Sequence, residues 1–244
     1  MTKKMVLLLA HSARSVAYVQ ALSNAKISPS AVVVYGNNDI KLSTKRELQH
    51  NDGDIFCPDL SLNLTQSLAL TEWPVWHCDL RSLDNPALLT KLKELAPDII
   101  VYSGYGGQIV PKRLLDIAPT LHIHSGLLPD FPGSTTIYYQ MLSQKCCGAS
   151  AILLDETIDT GPVIAKKTYP SPPKQLDIDY LYDTMIRADL LVEVLRKRDI
   201  SNLHDDAMIQ SSNRTPYYII HPLLKHLAIL WSDHEAVKEG SKVD

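Results

Sequence analysis

Apolar residues in this chain fall into short unbroken runs that alternate with stretches in which they recur every three or four positions. Met5 to Ala10, Ala31 to Tyr35 and the part of Asp98 to Tyr102 after its aspartate are runs of the first kind, and Leu121 to His124 reads as a further strand in which Leu and Ile alternate with two histidines. The three runs are short enough for strands and continuous enough for burial on both faces of a parallel sheet. Between them, Val16, Val19, Ala21 and Leu22 carry helical spacing behind Ser12 or Ser15 as N-cap, and Leu88, Leu89, Leu92 and Leu95 do so within Asn85 to Ala96. Pro74 to Cys78 predicts a further strand, Pro111 starts a helix through Leu115, and Thr135 to Ser143 reads as another helix. Ala149 to Leu154 and Pro162 to Lys167 read as two more strands. The alternation predicts an α/β fold with a doubly wound parallel sheet. Residues from about Gly36 to Leu70 predict loops around a short helix, with no chemistry assigned.

The pattern changes at Ser171-Pro-Pro173. Beyond it, Leu181, Met185, Ala188, Val192 and Leu195 mark one face of a helix of roughly five turns, a packing element. The expected division is a catalytic domain at 1–170 and a helical C-terminal extension at 171–244, with Glu235 to Asp244 as a frayed polar tail.

A chain of 244 residues can bury a sizeable core. Its net charge of −3 offers no general attraction to nucleic acid or anionic membrane. From Lys166 onward, 11 Lys and Arg face 12 Asp and Glu, which argues against a tRNA-binding appendage. No apolar run approaches the ~18 residues of a membrane span, and Met1-Thr-Lys-Lys-Met5 is a poor signal peptide, so the expected location is cytoplasmic. Cys57, Cys78, Cys146 and Cys147 lack zinc spacing and read as reduced thiols.

Candidate chemistry concentrates in His122-Ile-His-Ser-Gly-Leu-Leu-Pro-Asp-Phe-Pro-Gly133 and in Ile158-Asp-Thr-Gly-Pro-Val-Ile164. Residues i and i+2 of a strand share a side, so His122 and His124 project together from a strand end, and the Pro- and Gly-rich segment forces a turn behind them. In open α/β sheets ligands bind beyond such strand ends, where Asp159 could join from a neighbouring turn. Taken alone, these residues also fit a two-His, one-carboxylate metal site or ordinary strand-end histidines. No metal ligand is assigned. Gly104-x-Gly106-Gly107 lacks the third glycine of a dinucleotide loop. Arg214 to Pro222 puts aromatics beside a basic group, with buried aromatic packing as the simpler account.

His124-Ser-Gly-Leu-Leu-Pro-x-x-x-Gly133 followed by Asp159-x-Gly161 resembles the formyltransferase family that uses 10-formyl-tetrahydrofolate. This family includes methionyl-tRNA, glycinamide ribonucleotide and sugar-nucleotide N-formyltransferases and formyl-tetrahydrofolate hydrolase. The likeness covers about residues 1–170, including Pro97 to Pro111. It implies a Rossmann-like, mostly parallel formyltransferase fold, an enzyme, and 10-formyl-tetrahydrofolate as co-substrate. It also implies a catalytic Asn, His and Asp, matched here by His122, His124 and Asp159. Histidine in place of the amide changes reach, tautomer and charge. Ser103, Gly104, Tyr105, Gly106, Gln108 and Ile109 become the candidate pterin wall. Ser125 and Gly126 become candidate substrate contacts, and at the first strand-to-helix turn His11 to Ser15 read either as an ordinary helix cap or as N–H groups, the Ser12 hydroxyl and Arg14 offered to a substrate phosphate. The expected partners are a small-molecule amine acceptor, a nucleotide-linked amino sugar in the leading reading, and a second copy in a homodimer, with neither nucleic acid nor membrane. Hydrolysis of the folate, a metal-dependent hydrolase and a weakened folate-binding protein stand as alternatives.

Overall fold

The computed structural model describes residues 3–37, 45–49, 55–198, 203, 207–210 and 214–240, with the backbone alone for 235–240. Seven strands form one sheet: β1 (Met5–Ala10), β2 (Ala31–Tyr35), β3 (Val75–Cys78), β4 (Ile99–Ser103), β5 (Thr120–Ser125), β6 (Cys147–Leu153) and β7 (Val163–Tyr169). Their order is β3-β2-β1-β4-β5-β6-β7. The first five pair in parallel, whereas β5 with β6 and β6 with β7 are antiparallel.

The continuous apolar runs are explained by cover on both faces. Leu7, Leu9, Val32, Val34, Ile99 and Val101 enter one core, and Val6, Leu8, Val33, Tyr35, Ile100 and Tyr102 enter the other. The first core is roofed by α1 (Ala13–Asn24), α2 (Leu64–Ala69), α5 (Thr136–Gln144) and α6 (Asp183–Lys197). The second lies under α3 (Pro86–Leu95) and α4 (Lys112–Leu115). Ser12 caps α1 by accepting from the Ser15 N–H, and Asn85 caps α3, whose Pro86 gives up no hydrogen bond at the first turn.

The helix expected beyond Pro173 opens with a single π-turn at Ile178–Tyr182, continues as α6, and packs on α1 and on β5, β6 and β7 within the larger core. The predicted tail from Glu235 begins inside α7 (Pro222–Gly240), which runs on through Gly240. Within the Gly36 to Leu70 segment, α2 supplies the short helix, while 38–44 and 50–54 lie outside the described residues.

Candidate active site

The order of strands reverses direction between β1 and β4, and chains leaving these two neighbours depart to opposite sides, opening a crevice at their carboxyl ends. A cavity of about 490 Å³ lies there. Its wall includes Arg14 from the start of α1, Tyr105 to Val110 after β4, His122 and His124 on β5, Gly133 to Thr135, and Ile158 and Asp159 before β7. A second hollow of about 520 Å³, bordered by Asp84, Lys93 and Arg113, carries none of the candidate chemistry.

On β5, Leu121 and Ile123 enter the larger core while His122 and His124 take the other side and border the cavity. His122 sits opposite Tyr102 in the ladder, and its Nδ1 is 3.3 Å from the Tyr102 carbonyl oxygen. That carbonyl can only accept, so the proton belongs on Nδ1 and the Nε2 lone pair is left without a partner among the described residues. Burial first, then the Arg14 and Arg187 guanidiniums, hold the His122 pKa well below 6.5, so the ring is neutral near pH 7.

His124 is more enclosed. Its Nε2 lies 2.6 Å from the Phe131 carbonyl oxygen, its Nδ1 3.4 Å from Asp159 Oδ1, and Thr136 Oγ1 is 3.4 Å from Nε2. Asp159 Oδ2 accepts the Gly133 N–H at 2.7 Å. Burial works against the Asp159 charge, yet His124, the Gly133 N–H and His122 outweigh it and bring the carboxyl from 3.8 to about 2.

The motif glycines have local reasons. Gly133 has φ +105°, and a side chain there would overlap the backbone of Tyr217, which pairs with the loop through Tyr217 N–H to Pro132 O and Ser134 N–H to Tyr217 O, both 2.8 Å. At Gly161 a Cβ would strike the Leu153 carbonyl. Asp159 itself has φ +54°, a left-handed conformation that Asp tolerates better than most residues. The Gln210 side chain ties this turn by donating to the carbonyls of Asp159 and Gly161.

The other expected site residues divide. Tyr105, Gly106, Gln108, Ile109 and Arg14 border the cavity. Gln108 is fixed by the Tyr35 hydroxyl at 2.7 Å and by its own donation to Arg81 O at 2.8 Å. Ser103 and Gly104 stand behind the wall: the Ser103 hydroxyl accepts from Arg14 Nε at 3.1 Å and the Gly104 carbonyl from Arg14 Nη2. Ser12, Ser125 and Gly126 are also outside the lining. Ser12 caps α1, the Ser125 hydroxyl donates to Asp183, and Gly126 bonds Gly148 while pressed against Phe131 and Thr136. Asp159 and the two rings meet without forming a metal-like cluster: no group of three or more His, Cys, Asp or Glu suited to an ion occurs among the described residues.

Sequence reasoning missed Arg187. It borders the cavity from α6, four residues after Asp183, a spacing that reads as an ordinary helix-surface ion pair. The Arg214 to Pro222 segment proves to be a clamp: Arg214 pairs with Asp130 at 2.8 Å, and Tyr217 stacks against Phe131 and Tyr139. No helix among the described residues is long and apolar enough to cross a membrane.

The sequence profile of one family, described as formyl transferase, matches residues 3–192. A methionyl-tRNA formyltransferase of Trichlorobacter lovleyi is 36% identical over 115 residues, 45% of this chain and 36% of that protein. One from Nitratiruptor sp. is 39% identical over 85 residues, 34% and 28% of the two chains. The chain thus spans well under half the length of these curated relatives. Among solved structures, a sugar N-formyltransferase from a Shewanella species superposes with TM-score 0.57 at 17% identity, covering 94% of this chain and 87% of that one. A phosphoribosylglycinamide formyltransferase from Streptococcus pneumoniae gives 0.56 at 19%, covering 80% and 98%. Those two likenesses concern the fold.

Proposed function

The chain belongs to the formyl transferase family, and from that premise we propose that it moves a formyl group from 10-formyl-tetrahydrofolate to the amine of a small molecule, with His122, His124 and Asp159 around the reacting carbon. The observation that carries this reading is the joining of His124 to an ionised Asp159 beside a neutral His122, all on one cavity at a strand-end crevice.

The amine attacks the formyl carbon, the carbonyl becomes an oxyanion, and collapse breaks the bond to N10 of the folate, which leaves as a neutral amine carrying the proton the attacking nitrogen gives up. Two needs follow: positive potential at the oxyanion and a route for the amine proton. His124, held between the Phe131 carbonyl and Asp159, places its ring beside the first. Asp159, engaged by His124 and the Gly133 N–H, orients that ring rather than taking the amine proton. The unpartnered Nε2 of His122 is the group suited to accept it. Tyr105 to Ile109, with exposed Ile109, Ile158 and Ile219 on the cavity rim, offer backbone groups and flat apolar surface to the pterin and benzoyl rings.

The acceptor reading is a small amine, a nucleotide-linked amino sugar first. Methionyl-tRNA is a second reading, favoured by the names of the relatives and opposed by the balanced charge of residues 166–244. Purified protein incubated with 10-formyl-tetrahydrofolate and either an amino-sugar nucleotide panel or charged methionyl-tRNA decides between them by amine-dependent release of tetrahydrofolate. Asp159→Ala and His124→Ala are each expected to lower that release by ~10³ or more, on the scale of losing a member of a catalytic triad. A fully active Asp159→Ala protein would refute the assignment.

A further inference from the structure

We propose that Gln210 is a positioning residue for the transfer: its carboxamide holds the Asp159 turn from the C-terminal side, so that the carboxylate reaches His124. The inference rests on the transfer reading above and extends that site to a group outside the cavity wall.

Asp159 serves the site only while its backbone keeps an uncommon shape. Its φ of +54° is disfavoured for a residue with a Cβ, and such a conformation persists where the surroundings over-determine it. Relaxation to a negative φ would turn the Cβ, and the carboxylate with it, away from His124 Nδ1 at 3.4 Å and from the Gly133 N–H at 2.7 Å. One side of the turn is closed by β6. There the Leu153 N–H donates to the Pro162 carbonyl at 3.0 Å, and the Leu153 carbonyl stands where a Cβ on Gly161 would fall. Asp155 accepts from the Thr157 N–H and the Thr160 hydroxyl, which ties the front of the turn without touching the Asp159 backbone.

The other side belongs to Gln210. Its Nε2 lies 2.8 Å from the Asp159 carbonyl oxygen and 2.7 Å from that of Gly161. Both partners only accept, so the two N–H bonds of one planar amide go to the two carbonyls on either side of Thr160. A fork bonded at both tips fixes the Asp159–Thr160 and Gly161–Pro162 peptide planes, and the first of these sets ψ of Asp159. The amide is itself anchored two residues earlier, where Met208 and Val163 exchange N–H to carbonyl bonds at 2.8 and 2.9 Å at the start of β7. Little of this segment is buried: Met208 is 55% and Ile209 88% exposed, so its bonds to the turn and to β7 are what it chiefly contributes. Gln210 lies beyond residues 3–192, the stretch shared with the family, and no donor within that stretch reaches either oxygen among the described residues.

The test uses the full chain with Gln210→Ala, with Gln210→Glu, which keeps the shape and loses both donors, and with Ile209→Ala as a neighbouring control. Tetrahydrofolate release is measured with 10-formyl-tetrahydrofolate and the amine that the acceptor panel identifies. Binding of 5-formyl-tetrahydrofolate reports on the folate pocket, and NMR of the labelled carboxyl follows the titration of Asp159. Gln210→Ala and Gln210→Glu are each expected to lower kcat about 10–100-fold, the scale on which a misplacement of about 1 Å is felt, with 5-formyl-tetrahydrofolate binding within about twofold. The Asp159 carboxyl, at about 2 in the wild-type protein, should move up toward 3.8 in both. The melting temperature should fall by no more than about 4 °C, as for the loss of one or two hydrogen bonds. Ile209→Ala should match the wild-type protein in every readout. An unchanged kcat in Gln210→Ala, an Asp159 carboxyl that still titrates at about 2 there, an equal loss in Ile209→Ala, or a fall in activity that only follows loss of the melting transition would each overturn the positioning role. A wild-type protein that releases no tetrahydrofolate with any amine would overturn the transfer reading, and the carboxyl titration would still decide whether Gln210 sets Asp159.

Discussion

At the scale of single residues, protonation is where the site meets its surroundings. His122 is kept neutral when folded and is free to charge when unfolded, so below its ordinary value of 6.5 the unfolded chain binds the extra proton and stability falls with pH. Asp159 acts later. Its stabilising effect is complete above its ordinary 3.8 and is lost as pH falls toward about 2. A plot of melting temperature against pH should therefore bend downward first below 6.5 and again below 3.8, and His122→Asn should remove the first bend. An unaltered profile in that variant would contradict a buried neutral ring. Gly133→Ala forces a side chain into the Tyr217 backbone at φ +105°. Strain of this kind costs about 1–3 kcal/mol, readable as a lower urea midpoint, with a further loss of activity as the Gly133 N–H shifts from Asp159. Of the site residues, the two histidines and Asp159 were legible because motif spacing marks them. Arg187 was not, because it reaches the cavity from α6, far along the chain from the motif that marks the site.

Among the elements, the buried strands were the most readable, since a run such as Met5 to Ala10 has no polar position to offer solvent. The segment from Gly36 to Leu70 was the least, because its polar and turn residues encode no period. The helix after Pro173 showed its packing stripe correctly, but the stripe does not say what it packs against: α6 closes over α1 and the β5 to β7 half of the sheet and brings Arg187 to the cavity. Leu191, wholly buried on α6, should cost about 2–5 kcal/mol when changed to Ala, measured by denaturant unfolding. A value near zero would place α6 outside the cooperative unit.

For the molecule as a whole, the sheet sets the site by topology. Chain departures from β1 and β4 open the crevice, and the Arg14 bonds to Ser103 and Gly104 span it. The larger core draws side chains from Met5 through Ala228, so a cut after residue 170 removes part of that core rather than a separate piece. Such a fragment is expected to lose the sharp calorimetric transition of the full chain, and a fragment that melts cooperatively would restore the division at 170. The pairing of Gly133 with Tyr217 bears on how this protein can be recombined. A chimera that grafts the histidine motif onto another relative's C-terminal half must also import an extended backbone opposite the glycine. Without that donor segment the transplanted loop would have nothing to hold its amide against the aspartate.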